Sequence, residues 1–301
     1  FNEKNTELEK QYLLDTIDAE INDKRTYATI RCKDVMCAEE LCSIKKYGYR
    51  EDAMKITPES AAKAYEELLR TARVEIMFEG CGDPTLAKDI FAQKFAGVKR
   101  EPIVLSKSLV KAQRGAVKEE TERMDVKQGK LVMGFRVEGI EDYRRMNMAR
   151  ITFALFGGTA NSLLFKNVRE KMSLCYYCSS GYDRSNSIMM VSSGVEAENA
   201  QKARDEVLHQ LEMLKNGEFT DRELEETKLF IRTALMATSD SLGAMDSWYL
   251  AQTVGGSEVS PDMEIELSVQ VSREDVIWVA NHTHLDTVYM LMPNENQKEA
   301  E

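Results

Sequence analysis

Three landmarks recur along this chain in the same order and at nearly constant separation. Glu7-Leu8-Glu9 returns as Glu223-Leu224-Glu225, an offset of 216. Ile56-Thr57-Pro58-Glu59 returns in character as Val271-Ser272-Arg273-Glu274, an offset of 215. The run that starts at Val74 returns at Val288, an offset of 214. Each set reads helix, capped helix, strand, and such a repeat marks a duplicated unit. The implied fold class is α+β, with two related domains, each a mostly antiparallel sheet packed with helices on one face. The second copy starts near Lys127, which places the start of the first about 88 residues before Phe1. The first domain is therefore expected to be incomplete at its N-terminus. Residues 1–97 form its C-terminal half, 98–126 an interdomain connection, and 127–301 the second domain.

Local patterns support this order. Leu13, Ile17 and Ile21 make one stripe of a helix from Glu7 to Asn22. Thr57-Pro58 is a cap followed by proline at the first helical position. Val74, Ile76 and Phe78 alternate with Glu75, Met77 and Glu79 as a half-buried strand ended by Gly80. From Ala92 to Asp125 the pattern becomes charged and irregular, a connection that can also contribute an early strand. Its run Lys118-Glu-Glu-Thr-Glu-Arg123 is expected to be a solvated surface. Leu131, Met133, Phe135 and Val137 then alternate as a strand, and a helix through Met148, Ile151 and Leu155 stops at Gly157-Gly158. Ile188 to Val195 is another strand, and Ala200 to Leu214 a long helical stripe. Thr220-Asp-Arg-Glu223 is a capping box, Ser272-Arg-Glu-Asp275 a close variant, and Val288, Met290 and Met292 make the last strand.

Bulk properties exclude several function classes. The 301 residues are 43% hydrophobic and 30% charged, as in a folded globular protein. A net charge of -11 argues against nucleic acid or an anionic membrane as partner. No run of about 18 apolar residues exists to cross a membrane. The cysteines (Cys32, Cys37, Cys42, Cys81, Cys175 and Cys178) follow no disulfide framework, so reduced thiols in a cytoplasmic setting are expected. Cys175 and Cys178 form a Cys-x-x-Cys pair, but regular strand alternation puts residues three apart on opposite faces. They are read as strand cysteines rather than a metal or redox pair.

The densest chemistry lies between Phe156 and Tyr176. A glycine stop, a serine-capped helix, a turn and a strand place Arg169 and Tyr176 seven residues apart across a helix-to-strand corner. This segment resembles the pitrilysin/insulinase family of zinc metallopeptidases, particularly two-domain members like mitochondrial processing peptidase and its bacterial relatives. The resemblance rests on Gly157-Gly158, Leu164-Phe165-x-x-Val168-Arg169-Glu170-Lys171, Leu174-x-Tyr176 and Glu223-Leu224-x-x-x-Lys228. The first 95 residues resemble the back half of the family's first domain. In that family an inverted His-x-x-Glu-His motif and a distal glutamate hold the zinc. Here the only histidines are His209, His282 and His284. Glu9-Lys10, the start of the family's distal pattern, leads to Thr16 where the ligand glutamate would stand.

The resemblance therefore implies a non-catalytic member with no catalytic residue, metal ligand or cofactor of its own. It implies a heterodimer in which zinc sits in a catalytic zinc-peptidase homologue and the two halves enclose an extended peptide. Arg169 and Tyr176 would act in trans on that peptide. Gly157, Gly158 and Tyr177 are secondary candidates. The glycines end a helix and could also admit a peptide strand, while Tyr177 points to the other strand face. Two alternatives stay open: a truncated piece of an active zinc peptidase whose motif lies upstream, and a structural or peptide-binding member with no peptidase role.

Overall fold

The computed structural model describes residues 1–104 and 115–294. Its helices, in chain order, are α1 (Glu3–Ala19), α2 (Lys24–Met36), α3 (Arg50–Ala53), α4 (Pro58–Thr71), α5 (Pro84–Phe95) and α6 (Tyr143–Phe153). They continue with α7 (Ala200–Lys215), α8 (Asp221–Met236), α9 (Leu242–Gly255), α10 (Pro261–Val269) and α11 (Arg273–Asn281). The strands are β1 (Lys118–Met124), β2 (Gly129–Val137), β3 (Cys175–Asp183), β4 (Ile188–Val195) and β5 (Thr283–Pro293). Two compact units result. One is built from α1, α3, α4, α5 and α9, and the other from the sheet with α2, α6 to α8, α10 and α11.

The helical unit follows its local signals. Asn2, Thr57 and Asp83 each accept a backbone N–H at the start of α1, α4 and α5, and proline occupies the first position of the latter two. The α5 helix runs through Phe95 and so corrects the start of the stretch read as irregular from Ala92. Its Asp83-Pro84 start is a legible signal that its weak apolar stripe obscured. The expected strand at Val74–Phe78 does not form: this segment has no ladder, and Val74, Ile76 and Phe78 remain exposed. A strand needs a neighbour to satisfy its backbone groups, and among the described residues this unit offers none. The three side chains instead line an apolar hollow of about 530 Å³ with Phe91 and Phe95.

The sheet unit carries most of the core. Strand order is β1-β5-β2-β4-β3; β1 and β5 run parallel and every other pair antiparallel. The alternation of β2 explains its two-sided burial. Leu131, Met133, Phe135 and Val137 are buried on one face, and Val132 and Arg136 on the other. Val132 joins Ala28 and Cys32 of α2 with Tyr289 and Leu291 of β5 in one cluster. The sequence reading missed α2, whose apolar residues make no clean stripe; the sheet it covers makes it part of the core. The capping boxes at Thr220–Glu223 and Ser272–Asp275 are both present.

The charge run 118–123 is not simply solvated, because it forms the edge strand β1. Glu122 accepts from Tyr27 Oη at 2.8 Å and Tyr289 Oη at 2.5 Å, and Arg31 Nε lies 3.5 Å away. Burial pushes the Glu122 carboxyl up, but the two phenol hydrogen bonds and Arg31 outweigh it and hold the group below its ordinary 4.5. A folded-state value below the unfolded one makes this contribution present above pH 4.5 and lost as pH falls through the lower folded value. Stability measured by urea unfolding should therefore decline on acidification below that point. Glu122→Gln should flatten that part of the profile.

Candidate functional site

The corner begins where α6 widens into a π-helical turn over Ala154–Gly158. A Cβ on Gly157 would stand 2.7 Å from Ser180 N and 2.8 Å from both Ser180 Oγ and Leu164 Cδ1. The close approach that this glycine permits is thus made by the chain's own strand β3. Ser180 Oγ also donates to Phe153 O at 2.9 Å. Gly157→Ala should cost about 1–3 kcal/mol of unfolding free energy in a denaturant titration, because the nearest obstacle is a backbone nitrogen of β3. Gly158 is exposed, with Phe153 O 3.2 Å from its would-be Cβ.

A second π-helical segment, Phe165–Lys171, carries Arg169. Such segments are over-represented at functional sites. Met172 N donates to Asn167 O and Leu174 N to Val168 O, both at 3.1 Å, and Ser173 takes a left-handed φ of 51° to turn the chain into β3. A serine in that region costs conformational energy, so packing must hold the turn. Arg169 does part of this: its Nε donates to Tyr176 O at 3.0 Å, and its guanidinium lies 4.5 Å from the Phe165 ring centre. The two residues singled out by spacing are thus joined directly.

Tyr176 sits at an irregularity in the β3–β4 ladder, between the pairs Cys175↔Val195 and Tyr177↔Gly194. The bulge turns its ring outward, and Tyr176 is 55% exposed. Its phenol donates to Glu196 Oε1 at 2.6 Å, and this bond to a carboxylate raises the phenol above its ordinary 10.0. Tyr176 therefore stays protonated, a donor, through the neutral range. Arg169, Glu170, Ser173, Cys175, Tyr176 and Glu196 line a surface hollow of about 520 Å³. Tyr177 is on the opposite face, as expected, with the Arg25 guanidinium 4.2 Å from its ring centre and its ring against Gly194. That environment is packing against α2.

Glu196 escaped the sequence reading. It lies 20 residues from Tyr176, and only the hairpin register brings it opposite. The Cys-x-x-Cys reading also needs correction. The bulge consumes one residue, so Cys175 pairs with Val195 and Cys178 with Ser193, two positions apart on one strand. The cysteines therefore share a face instead of opposing each other.

Among the described residues no zinc ligand set of the family type is assembled. Thr16 donates its hydroxyl to Tyr12 O at 2.7 Å, one turn back along α1. His282 Nδ1 lies 2.7 Å from Trp278 O and its ring stacks on Trp278 at 3.9 Å. Among the described residues, the one group of three potential ligands with converging atoms is Cys37, Glu40 and Cys42, and Glu40 there pairs with Arg136. Burial, first of all, pushes the Cys37 thiol up to about 12. That donor set does not match the family's two imidazoles and carboxylate.

What remains is a peptidase-like α+β protein with an exposed Arg–Tyr corner on an edge strand and no family-type metal set among its described residues. A family model described as "Peptidase M16 inactive domain" matches residues 55–229, more than half of the chain, and the chain belongs to that family. This is the pitrilysin type that the motifs implied. A Bacillus subtilis (strain 168) protein named "Probable inactive metalloprotease YmfF" is 28% identical over 287 residues, covering 95% of this chain and 67% of that protein. Two solved structures share the fold. One is a conserved protein from Enterococcus faecalis V583 (TM-score 0.88, 23% identity, 98% of this chain and 69% of that one). The other is a peptidase M16 inactive domain from Pseudomonas fluorescens (TM-score 0.81, 20% identity, 98% and 72%). A Rickettsia bellii protein named "Uncharacterized zinc protease" is 25% identical, and the match spans only 39% of its length.

Proposed function

We propose that this protein is the non-catalytic subunit of a heterodimeric zinc peptidase. It forms half of a peptide-holding chamber and lends Arg169 and Tyr176 to the active site of a catalytic homologue. The observation that carries this reading is the Arg169–Tyr176 bond, which sets a guanidinium and a protonated phenol on the rim of one hollow. Once the phenol proton turns from Glu196 to the substrate, two such donors suit a peptide carbonyl, or the oxyanion that develops when water attacks it. The strand that bears Tyr176 ends the sheet, so an extended peptide can lie alongside it. The zinc and the water-activating carboxylate belong to the partner in this scheme. The duplication read from the three landmarks is part of the proposal, with domains meeting across 98–126. So is a cytoplasmic setting, where the free thiols stay reduced.

Reconstitution tests it. The full-length protein is mixed with a catalytic homologue carrying the complete zinc motif, and hydrolysis of an unstructured peptide is followed. Hydrolysis should require both chains, with the zinc in the homologue. Hydrolysis by this protein alone, with one zinc bound per chain, would establish the truncated-peptidase reading instead. A stable assembly that cleaves nothing would establish a structural role.

A further inference from the structure

We infer that Cys175 and Cys178 form a redox-active dithiol on the rim of the hollow, which a hydroperoxide converts to an intramolecular disulfide. This goes beyond the peptide-holding role and does not depend on it. Geometry carries the inference. The bulge at Tyr176 places the two cysteines opposite Val195 and Ser193, as same-face neighbours. The two thiols lie within hydrogen-bonding reach of each other, the approach from which a disulfide forms. Cys175 lines the hollow and is partly exposed, whereas Cys178 is buried, 3% exposed. An accessible attacking thiol with a shielded resolving thiol is the arrangement that a dithiol switch requires.

The surroundings favour the same order of events. The Cys178 thiol donates to Cys175, burial opposes ionisation, and the Arg169 charge favours the thiolate, so Cys175 is drawn down to about 7. The same bond, with burial, drives Cys178 well above its ordinary value. The remaining buried thiols contrast with this pair. Burial is the leading cause that raises both Cys32 and Cys37, which leaves them unreactive.

The chemistry balances. The Cys175 thiolate attacks one peroxide oxygen, the O–O bond breaks, and the leaving hydroxide takes a proton to become water. Sulfur is oxidised to the sulfenic acid and the peroxide is reduced. The Cys178 sulfur then attacks the Cys175 sulfur, the S–O bond breaks, and hydroxide departs with the Cys178 proton as a second water. With hydrogen peroxide the sum is two thiols and one peroxide giving one disulfide and two waters; an alkyl hydroperoxide gives an alcohol in place of the first water.

Hydrogen peroxide is the probe, applied to the full-length protein near neutral pH, followed by thiol alkylation, tryptic digestion and mass spectrometry. The peptide Met172–Arg184 contains both cysteines and no internal cleavage site. It should lose two hydrogens in mass, resist alkylation until reduced, and react about fivefold faster than the exposed Cys81. That factor combines a larger thiolate fraction with a lower intrinsic nucleophilicity. Cys178→Ala should instead trap a sulfenic acid at Cys175 that dimedone captures, and Cys175→Ser should leave Cys178 inert. Two free thiols in this peptide after Cys81 has been oxidised would overturn the inference. So would a Cys178 that reacts equally well in Cys175→Ser. The wild-type peptide map decides even if a variant fails to fold.

Discussion

Arg169→Ala and Tyr176→Phe, each assayed with a catalytic homologue, should lower kcat about 100-fold, equivalent to about 2.7 kcal/mol of transition-state stabilisation. The size follows from losing one donor aimed at a developing oxyanion in a water-poor chamber. The two substitutions remove different things. Tyr176→Phe deletes one hydroxyl and leaves the Glu196 carboxylate without its phenol partner. Arg169→Ala deletes a guanidinium and also the tether to Tyr176 O that holds the start of β3. Arg169→Lys separates these effects, since it keeps the charge but not the planar fork. Glu196→Gln is the complementary control: it keeps a hydrogen-bond acceptor and removes the charge that raises the Tyr176 phenol. If both primary variants turn over within threefold of wild type, Arg169 and Tyr176 are only a structural corner. Loss of activity with unchanged KM would place their action in the transition state.

Arg136→Leu should destabilise the sheet unit by about 3–5 kcal/mol, read from the midpoint of urea unfolding. Arg136 is 3% exposed on the α2 face of β2. Its Nε donates to Asp286 Oδ2 at 2.7 Å, its Nη2 to Met36 O at 3.0 Å, and both Nη atoms to Glu40. Burial disfavours the guanidinium charge, but the bonds to Glu40 and Asp286 outweigh that and raise its affinity for the proton. The cost of the variant arises from what stays behind. Asp286 is fully buried, and without Arg136 it keeps the hydrogen bond from the Thr287 hydroxyl at 2.6 Å but no counter-charge. An uncompensated buried carboxylate is the expensive state, more than the loss of an attractive pair. Arg136→Leu combined with Asp286→Leu should therefore recover much of the loss, which a sum of independent effects would not. A cost below about 1 kcal/mol for the single variant would show that water reaches the site and relieves the charge.

The two expectations differ in how much of their basis could be read along the chain. Arg169 and Tyr176 stand seven residues apart, and their pairing follows from one glycine stop and one helix-to-strand turn. Arg136 reads as an ordinary polar position of an alternating strand; its partners Glu40 and Asp286 are 96 and 150 residues away. The same contrast recurs elsewhere. The strand Ile188–Val195 and the capping boxes were legible because their signals lie within a few residues. The Val74 run had the correct alternation and still made no strand, since alternation describes one side of a pairing that needs two.

What this sequence determines by itself is local. It sets the caps, the helical and strand periods and the family motifs. Each depends on interactions within one or two turns of chain. Tertiary structure alone decided that α2 covers the second face of the sheet and that Glu196 takes the Tyr176 phenol. It also decided that one extra residue at Tyr176 brings Cys175 and Cys178 onto the same face. The physical reason is register. Which residues meet across a ladder is fixed by hydrogen bonds between distant strands, and a single-residue bulge reverses the face of every side chain beyond it.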